Sequence, residues 1–210
     1  MSDVHVRLIT PQDEALLDAA FDLYRDSIER TEQRTEAEFR ALAARADYRF
    51  LAAVLDDRVI GMTVSWVPAD SMMWLFEYAA VAPEMRGRGL GANLFLGARD
   101  IAGPERTALV EVDAFTGEEI QLRRLAFYRG LGCRRLVGLD YILPLDAFGA
   151  PPRMWLLALT SPEDQPGVSI HVVESWLRAI YAGAYGKPLD DPRLARMIDP
   201  LPDHVELAVL

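Results

Sequence analysis

Two periodicities of hydrophobic residues follow one another along this chain, and each predicts a different kind of element. Short apolar or alternating runs predict strands at 4–9, 49–55, 59–66, 74–81, 108–113, 136–143 and 154–159. Apolar residues at helical spacing predict helices after Asp13, at 36–45, from Leu90, at 118–131, over 170–184 and after Asp191-Pro192. The first helix is expected to have Thr10 near its N-cap and Pro11 at its first helical position. Alternation also places the strand residues Trp74, Phe76 and Tyr78 on one face.

A glycine-rich loop joins the predicted strand at 74–81 to the helix that follows. It consists of Arg86, Gly87, Arg88, Gly89, Leu90 and Gly91. The glycines let the backbone turn with its N–H groups facing inward, and the helix N-terminus and the two arginines add positive charge. No Gly-Lys-Ser/Thr follows, as it would in a Walker loop, and the glycine spacing is not that of a dinucleotide-binding loop. We therefore expect the loop to bind a pyrophosphate.

The loop satisfies the pattern Arg/Gln-x-x-Gly-x-Gly/Ala through Arg86, Gly89 and Gly91, and here the chain resembles the GNAT superfamily of N-acetyltransferases. Residues 123–133 resemble the superfamily's late helix with its Phe-Tyr-x-x-x-Gly-Phe ending, with Cys133 in place of the last phenylalanine. The resemblance extends over 4–159. It implies an α+β fold with a mixed, mostly antiparallel sheet of about six to seven strands, splayed central strands and flanking helices.

The resemblance also implies a cosubstrate and the residues that bind it. Acetyl-CoA would place its pyrophosphate on the loop at 86–91, and its pantetheine arm would lie against the backbone of Ala79, Ala80 and Val81. Tyr128 would contact the cosubstrate and donate a proton to the thiolate, although a tyrosine here can also simply pack its ring on an apolar face. The acceptor site would be formed by 24–45 and 144–153, and no metal is expected.

Two glutamates lie in otherwise apolar predicted strands, where an acidic residue needs a partner or a task. The candidate catalytic bases are therefore Glu77 on the central strand and either Glu111 or Asp113 on the neighbouring strand. Arg123 and Arg124 are the candidate partners. A buried Glu77–Glu111–arginine network that attaches helix to sheet explains the same residues without catalysis, and both roles can hold together.

Composition limits the classes of partner. The chain has 210 residues, 51% hydrophobic content and a net charge of −10, which argues against nucleic acid and fits an amine acceptor. No apolar run is long enough to span a bilayer and the N-terminus lacks a signal-like core, so we expect a cytoplasmic protein without a membrane partner. The single cysteine, Cys133, excludes an internal disulfide and is expected to be a buried structural residue.

Two function classes remain open at this stage. The first is an acetyltransferase that moves the acetyl group of acetyl-CoA directly to a primary amine of a small molecule or peptide. The second is a catalytically weak acyl-CoA-binding module with a regulatory or interaction role. The chain is also similar to a bacterial branch of the superfamily whose members mostly lack assigned substrates. This similarity rests on Glu77, on the arginine pair before Phe-Tyr and on Tyr141-Ile142-Leu143-Pro144.

The chain is expected to divide into a catalytic domain at 1–160 and a helical extension at 161–210, joined through the breaker-rich residues 161–167. The apolar stripe over 170–184 must cover another surface. It can pack on the core of the same subunit, form a homodimer contact, or lie over the acceptor site.

Overall fold

The computed structural model describes residues 4–145, 147–161 and 166–210; the predicted linker residues 162–165 lie outside this part. Within it, one sheet has the strand order β1-β2-β3-β4-β5-β7-β6-β9-β8. Its strands are β1 (His5–Ile9), β2 (Tyr48–Leu55), β3 (Arg58–Trp66), β4 (Met73–Val81), β5 (Thr107–Asp113), β6 (Arg134–Leu136), β7 (Met154–Leu159), β8 (Gly167–Ser169) and β9 (His204–Val209). The helices are α1 (Glu14–Ser27), α2 (Glu36–Ala43), α3 (Leu90–Ala102), α4 (Glu119–Gly130), α5 (Ile170–Ala179) and α6 (Pro192–Ile198). Short 3-10 turns lie at Arg30–Glu32 and Pro83–Met85, and a π-helical turn, Ile180–Ala184, continues α5.

The predicted fold class is confirmed. Antiparallel ladders join most neighbouring strands, and β4 pairs with β5 in parallel. The hairpin between β2 and β3 turns through Asp56 and Asp57, both with positive φ, as a tight hairpin connection requires. The sheet has nine strands rather than six or seven because the C-terminal residues contribute β8 and β9, which pair with each other while β9 also pairs with β6. The extension is therefore not purely helical.

Two predicted element boundaries are wrong. The carboxylate of Asp13 accepts hydrogen bonds from the backbone N–H and the hydroxyl of Thr10, at 3.0 and 2.8 Å, and this local turn delays the start of α1 to Glu14. Pro11 consequently lies in the turn before the helix. The strand predicted at 136–143 is replaced by β6, which ends at Leu136, and Gly138 follows with a φ of 83°. A positive φ does not continue a strand, so the chain leaves the sheet there.

The sheet separates two hydrophobic clusters. One contains the inward faces of α1 and α2 together with the apolar stripe of the C-terminal residues, and the other contains those of α3 and α4. The stripe residues Val173, Trp176, Leu177, Ile180 and Tyr181 are all buried in the first cluster. The C-terminal residues thus pack on the core of their own chain. In the part of the chain that the structure describes, no helix is long and apolar enough to cross a membrane.

A β-bulge in the central strand β4 sets the geometry of the site. In the ladder with β3, Val64 pairs with Tyr78 whereas Ser65 pairs with Phe76, which leaves Glu77 as the extra residue. The bulge moves Tyr78 into the first cluster, whereas Trp74 and Phe76 lie in the second, so the predicted shared face is wrong.

The parallel ladder between β4 and β5 ends next to this bulge. Its last pair is Phe76 with Val110, although β4 continues to Val81 and β5 to Asp113. The two central strands are therefore splayed, as predicted, and the gap opens beside Glu77 and Glu111.

Candidate active site

The glycine-rich loop has the conformation that its composition predicts. Gly87 and Gly89 have φ values of 75° and 79°, in the left-handed region that glycine alone adopts readily, and Gly89 is the N-cap of α3. At Gly91, a Cβ atom would lie 3.4 Å from the ring of Phe127 on α4, so the small residue allows close packing there. Arg86 donates a hydrogen bond from Nε to the carbonyl of Val81, at 3.0 Å, and this bond ties the loop to the end of β4.

A cavity of about 100 Å³ lies at the gap between the central strands. It brings the predicted residues Glu77, Ala79, Glu111 and Tyr128 together, whereas Ala80, Val81 and the loop residues 86–91 do not line it. The α1–α2 connection contributes Ser27, Ile28, Glu29 and Glu32, which belong to the predicted acceptor region 24–45. No described residue of 144–153 lines the cavity, but Leu143 and Met154 on either side of that connection do.

Glu77 is buried, and both of its carboxylate oxygens accept hydrogen bonds. Its Oε1 accepts hydrogen bonds from Nε and Nη2 of Arg34, at 2.8 and 2.6 Å, and its Oε2 accepts one from the hydroxyl of Tyr48 at 3.0 Å. Burial is the largest single effect and disfavours the charge of Arg34, but Glu77 together with smaller contributions from Tyr78, Tyr185 and Tyr48 outweighs it and raises the pKa of Arg34 above its usual value. Both oxygens of the Glu77 carboxylate are thus engaged by the donors of Arg34 and Tyr48.

The predicted partners of Glu77 are wrong. Arg123 pairs with Glu119 on its own helix at 3.4 Å, and Arg124 pairs with Asp113. Both arginines belong to α4, which packs on the second cluster, whereas Glu77 contacts residues on the side of the first cluster. Arg34 follows the 3-10 turn Arg30–Glu32 and lies in a connection that sequence reasoning treats only as polar.

Glu111 has a different environment from Glu77. Its two oxygens accept hydrogen bonds from tyrosine hydroxyls: Tyr141 donates to Oε1, and Tyr185 donates to Oε2 at 2.6 Å. Burial, and next the charge of Glu77, raise the pKa of Glu111 to about 8, and the two hydroxyls and Arg34 partly oppose that rise. A carboxyl group with a pKa near neutrality is suited to accept and release a proton.

Tyr128 reaches the cavity from α4. It is 7% exposed, and its ring centroid lies 5.0 Å from that of Phe127 and 6.5 Å from that of Phe95. Burial raises the pKa of its phenol above the usual value, so the hydroxyl keeps its proton at neutral pH. Within the described part of the chain this hydroxyl has no hydrogen-bond partner. Tyr128 therefore combines the predicted packing role with a free donor at the cavity.

At the rim of the cavity two glutamates outnumber one arginine, Arg124 of α4. Glu29 and Glu32 come from the α1–α2 connection. Burial, with a smaller contribution from the negative charge of Asp113, raises the pKa of Glu32 to about 7. An acidic rim of this kind attracts cations.

Comparisons with known proteins identify the family and the fold of the chain. The sequence profile of the Acetyltransferase (GNAT) family matches residues 14–133. Among solved structures, a protein from Bacteroides thetaiotaomicron described as a GNAT-family acetyltransferase superposes with a TM-score of 0.71 at 22% identity, over 88% of this chain and 99% of that one. No sequence among the curated proteins matches the chain.

Two further solved structures share the fold. The ribosomal-protein-S18-alanine N-acetyltransferase of Escherichia coli has a TM-score of 0.58 at 18% identity, over 75% of this chain and 93% of that one. An aminoglycoside 6'-N-acetyltransferase in complex with coenzyme A has a TM-score of 0.55 at 19% identity, over 74% of this chain and 96% of that one. The family profile alone covers more than half of the sequence, and the chain belongs to the acetyltransferase (GNAT) family.

Proposed function

We propose that this protein is an N-acetyltransferase that moves the acetyl group of acetyl-CoA directly to a primary amine of a small molecule or peptide. The observation that supports this most strongly is the convergence of Glu111 and Tyr128 on one cavity at the gap between β4 and β5. One residue is a carboxyl group with a pKa of about 8, and the other is a protonated phenol whose hydroxyl has no hydrogen-bond partner among the described residues. Amine acylation by a thioester needs such a proton acceptor and such a proton donor.

The residues around the gap fit acetyl-CoA. Beyond Phe76, the edge of β4 is not paired with β5, so backbone groups of Ala79, Ala80 and Val81 are available to an extended pantetheine arm. The loop from Arg86 to Gly91 follows directly and opens α3, where N–H groups and arginine side chains can bind a pyrophosphate. The bound cosubstrate supplies an activated acetyl group as a thioester.

The reaction we propose needs no covalent enzyme intermediate. Glu111 removes a proton from the acceptor ammonium, and the free amine attacks the thioester carbonyl. The new C–N bond forms as the C–S bond breaks, and Tyr128 donates its proton to the departing thiolate. The acylated nitrogen then releases its second proton, which returns through solvent to the Tyr128 phenolate, and Glu111 gives its proton to solvent, so that the net products are the amide, the free thiol of CoA and one proton. Glu77 has a supporting role, because its negative charge increases the proton affinity of Glu111.

The acceptor is proposed to be cationic before reaction. Two structural neighbours are named as enzymes that act on an aminoglycoside and on an alanine of a ribosomal protein, and both of these acceptors carry amines. Here, Glu29 and Glu32 at the cavity rim and the net charge of −10 favour the approach of a protonated amine.

Binding and transfer can be tested separately. We expect acetyl-CoA at 100 times its Kd to raise the free energy of unfolding by about 2.7 kcal/mol, measured as a thermal shift. Free thiol release should accelerate with members of a panel of amines. Tyr128→Phe should lower kcat by a factor on the order of 10² to 10⁴ while acetyl-CoA binding persists, and Tyr181→Phe, whose hydroxyl bonds the carbonyl of Ile142, serves as the control.

The possible outcomes distinguish the acetyltransferase from the alternative functions. Absence of any thermal shift would contradict the acetyl-CoA site. A shift without acceleration of thiol release by any amine would favour the acyl-CoA-binding module that the sequence left open.

A further inference from the structure

The C-terminal segment, residues 166–210, provides part of the candidate site. The π-helical turn after α5 offers backbone carbonyls to the core: Ala184 accepts hydrogen bonds from Nη2 of Arg34 at 3.0 Å and from the hydroxyl of Tyr48 at 3.2 Å. The carbonyl of Gly183 accepts one from Nη2 of Arg45 at 2.8 Å. The segment therefore holds the same arginine and tyrosine that bind Glu77.

Tyr185, directly after this turn, connects the two glutamates. Its hydroxyl donates a 2.6 Å hydrogen bond to Oε2 of Glu111, and its ring lies under the guanidinium of Arg34, with Cζ 4.6 Å from the ring centroid. One side chain thus contacts Glu111 through its hydroxyl and the Arg34–Glu77 pair through its ring. The family profile ends at residue 133, so Tyr185 lies outside the matched region.

We propose that Tyr185 is a positioning residue that orients the Glu111 carboxylate for proton transfer and stabilises its charged form. The proposal rests on the proposed function only where it assigns Glu111 as the base. Tyr141 bonds one carboxylate oxygen and Tyr185 the other, so the two hydroxyls together fix the plane of the carboxylate. Without Tyr185, Oε2 loses the donor that holds it.

The other groups around Glu111 make the contribution of Tyr185 measurable. Burial and the negative charge of Glu77 favour the neutral carboxyl, and the hydroxyls of Tyr141 and Tyr185, with Arg34, favour the carboxylate. The phenols of Tyr78 and Tyr181 also interact with Glu111, but burial raises the pKa of both phenols and keeps them neutral. Removing the hydroxyl of Tyr185 therefore shifts the balance toward the neutral, inactive form of the base.

Tyr185→Phe tests this directly, because phenylalanine keeps the ring against Arg34 and removes only the donor. We expect the acid limb of the kcat/KM profile to move to higher pH by about one unit, with activity recovering at alkaline pH. The titration of the Glu111 side-chain carboxyl, followed by ¹³C NMR in protein labelled at glutamate and assigned with Glu111→Gln, should move by the same amount. This second measurement needs no acceptor substrate.

Tyr181→Phe is the matched control. Tyr181 lies in the same turn and is also buried, but its hydroxyl donates to the carbonyl of Ile142 at 2.5 Å and does not bond Glu111. We expect its pH profile and the Glu111 titration to match those of the wild-type protein. A purely structural role for Tyr185 would lower thermal stability while leaving both titrations in place.

The outcomes distinguish this proposal from the proposed function. An unchanged Glu111 titration in Tyr185→Phe overturns the positioning role, whatever the activity. A shifted titration without acetyl transfer to any amine supports the role and counts against the acetyltransferase assignment. If Tyr185→Phe does not fold, 3-fluorotyrosine at position 185 is the second probe, since its more acidic hydroxyl should lower the titration point of Glu111. No downward shift with that probe also overturns the proposal.

Discussion

At the scale of single residues, the two glutamates show how one sequence signal leads to two environments. Both lie in apolar strands, and the sequence predicts that each needs a partner or a task. Glu77 has a buried guanidinium and a tyrosine hydroxyl, whereas Glu111 has two neutral hydroxyls. The guanidinium bound to Glu77 stabilises its charge directly, whereas the neutral donors of Glu111 leave the cost of burial only partly offset.

The pH dependence of stability should report the unusual state of Glu111. Burial raises the pKa of Glu111 in the folded protein to about 8, from its ordinary value of 4.5. The pKa of Glu111 is higher in the folded protein than in the unfolded chain. The contribution of Glu111 to the free energy of unfolding is therefore fully present below about pH 4.5 and is lost as pH rises toward 8. Between these values the free energy of unfolding should fall by on the order of 4 kcal/mol through this group.

We expect Glu111→Gln to remove this contribution, so that urea denaturation between pH 5 and 8.5 shows a flatter dependence than in the wild-type protein. Glu32→Gln is the comparison variant, since the pKa of Glu32 is also raised, to about 7, and it should remove a smaller contribution of the same sign. The same slope in Glu111→Gln and wild type would contradict the assignment.

The sequence does not predict the residues that bind these glutamates. Arg34 and Tyr185 are far from Glu77 and Glu111 in sequence, and Arg34 lies in a polar connection with no periodicity. Such contacts depend on how elements pack. The sequence favours Arg123 and Arg124 because their helix follows the strand of Glu111, but α4 packs on the other cluster of the sheet.

At the scale of elements, the sequence predicts the central strand well but not its interruption. The run 74–81 is apolar and aromatic, and β4 forms there as Met73–Val81. The bulge at Glu77 has no local signal, because neither glycine nor proline marks it. Strict alternation consequently fails at Tyr78. The glycine loop is predictable because its backbone has positive φ at Gly87 and Gly89, a conformation that favours glycine and is therefore visible in the composition.

The π-helical turn packs so closely on β3 that adding one methyl group, by a glycine-to-alanine substitution, tests the contact. At Gly183, a Cβ atom would lie 2.0 Å from Cζ2 of Trp66. The indole cannot move easily, since Trp66 is buried and its Nε1 donates to Asp47 at 2.8 Å. We expect Gly183→Ala to destabilise the protein by about 1–3 kcal/mol through overpacking and to lower Tm by several degrees.

Gly130→Ala is the control for that substitution. Gly130 is the last residue of α4, and a Cβ atom there meets no atom within 4 Å. Its replacement should leave the free energy of unfolding unchanged or raise it by up to about 1 kcal/mol. Equal melting temperatures for the two variants would show that the turn does not pack against Trp66 as closely as described.

At the scale of the whole molecule, the division into a catalytic domain at 1–160 and an extension at 161–210 does not coincide with a boundary in the sheet. The apolar stripe of α5 was predictable from its helical period. The strand β9 is absent from the sequence prediction: Val205, Leu207 and Val209 alternate there, but the stretch is short and only the first two of these residues are buried. Their partner is β6, and pairing between strands so distant in sequence has no local signature.

This continuity predicts that the chain unfolds as one cooperative unit. Val205 and Leu207 belong to the same buried cluster as the helices α1 and α2, and the amide of Leu207 donates to the carbonyl of Pro166 at 2.7 Å. An amide in a sheet shared by the whole chain can exchange only when that sheet opens. In native-state hydrogen exchange, the amides of Val205 and Leu207 should therefore open with the same free energy as those of β4, within about 1 kcal/mol. Exchange of these β9 amides at a much lower free energy, with β4 still protected, would mean that the C-terminal segment detaches on its own. Detachment would also remove Tyr185 from Glu111, so the same measurement tests whether the candidate site stays assembled in the native state.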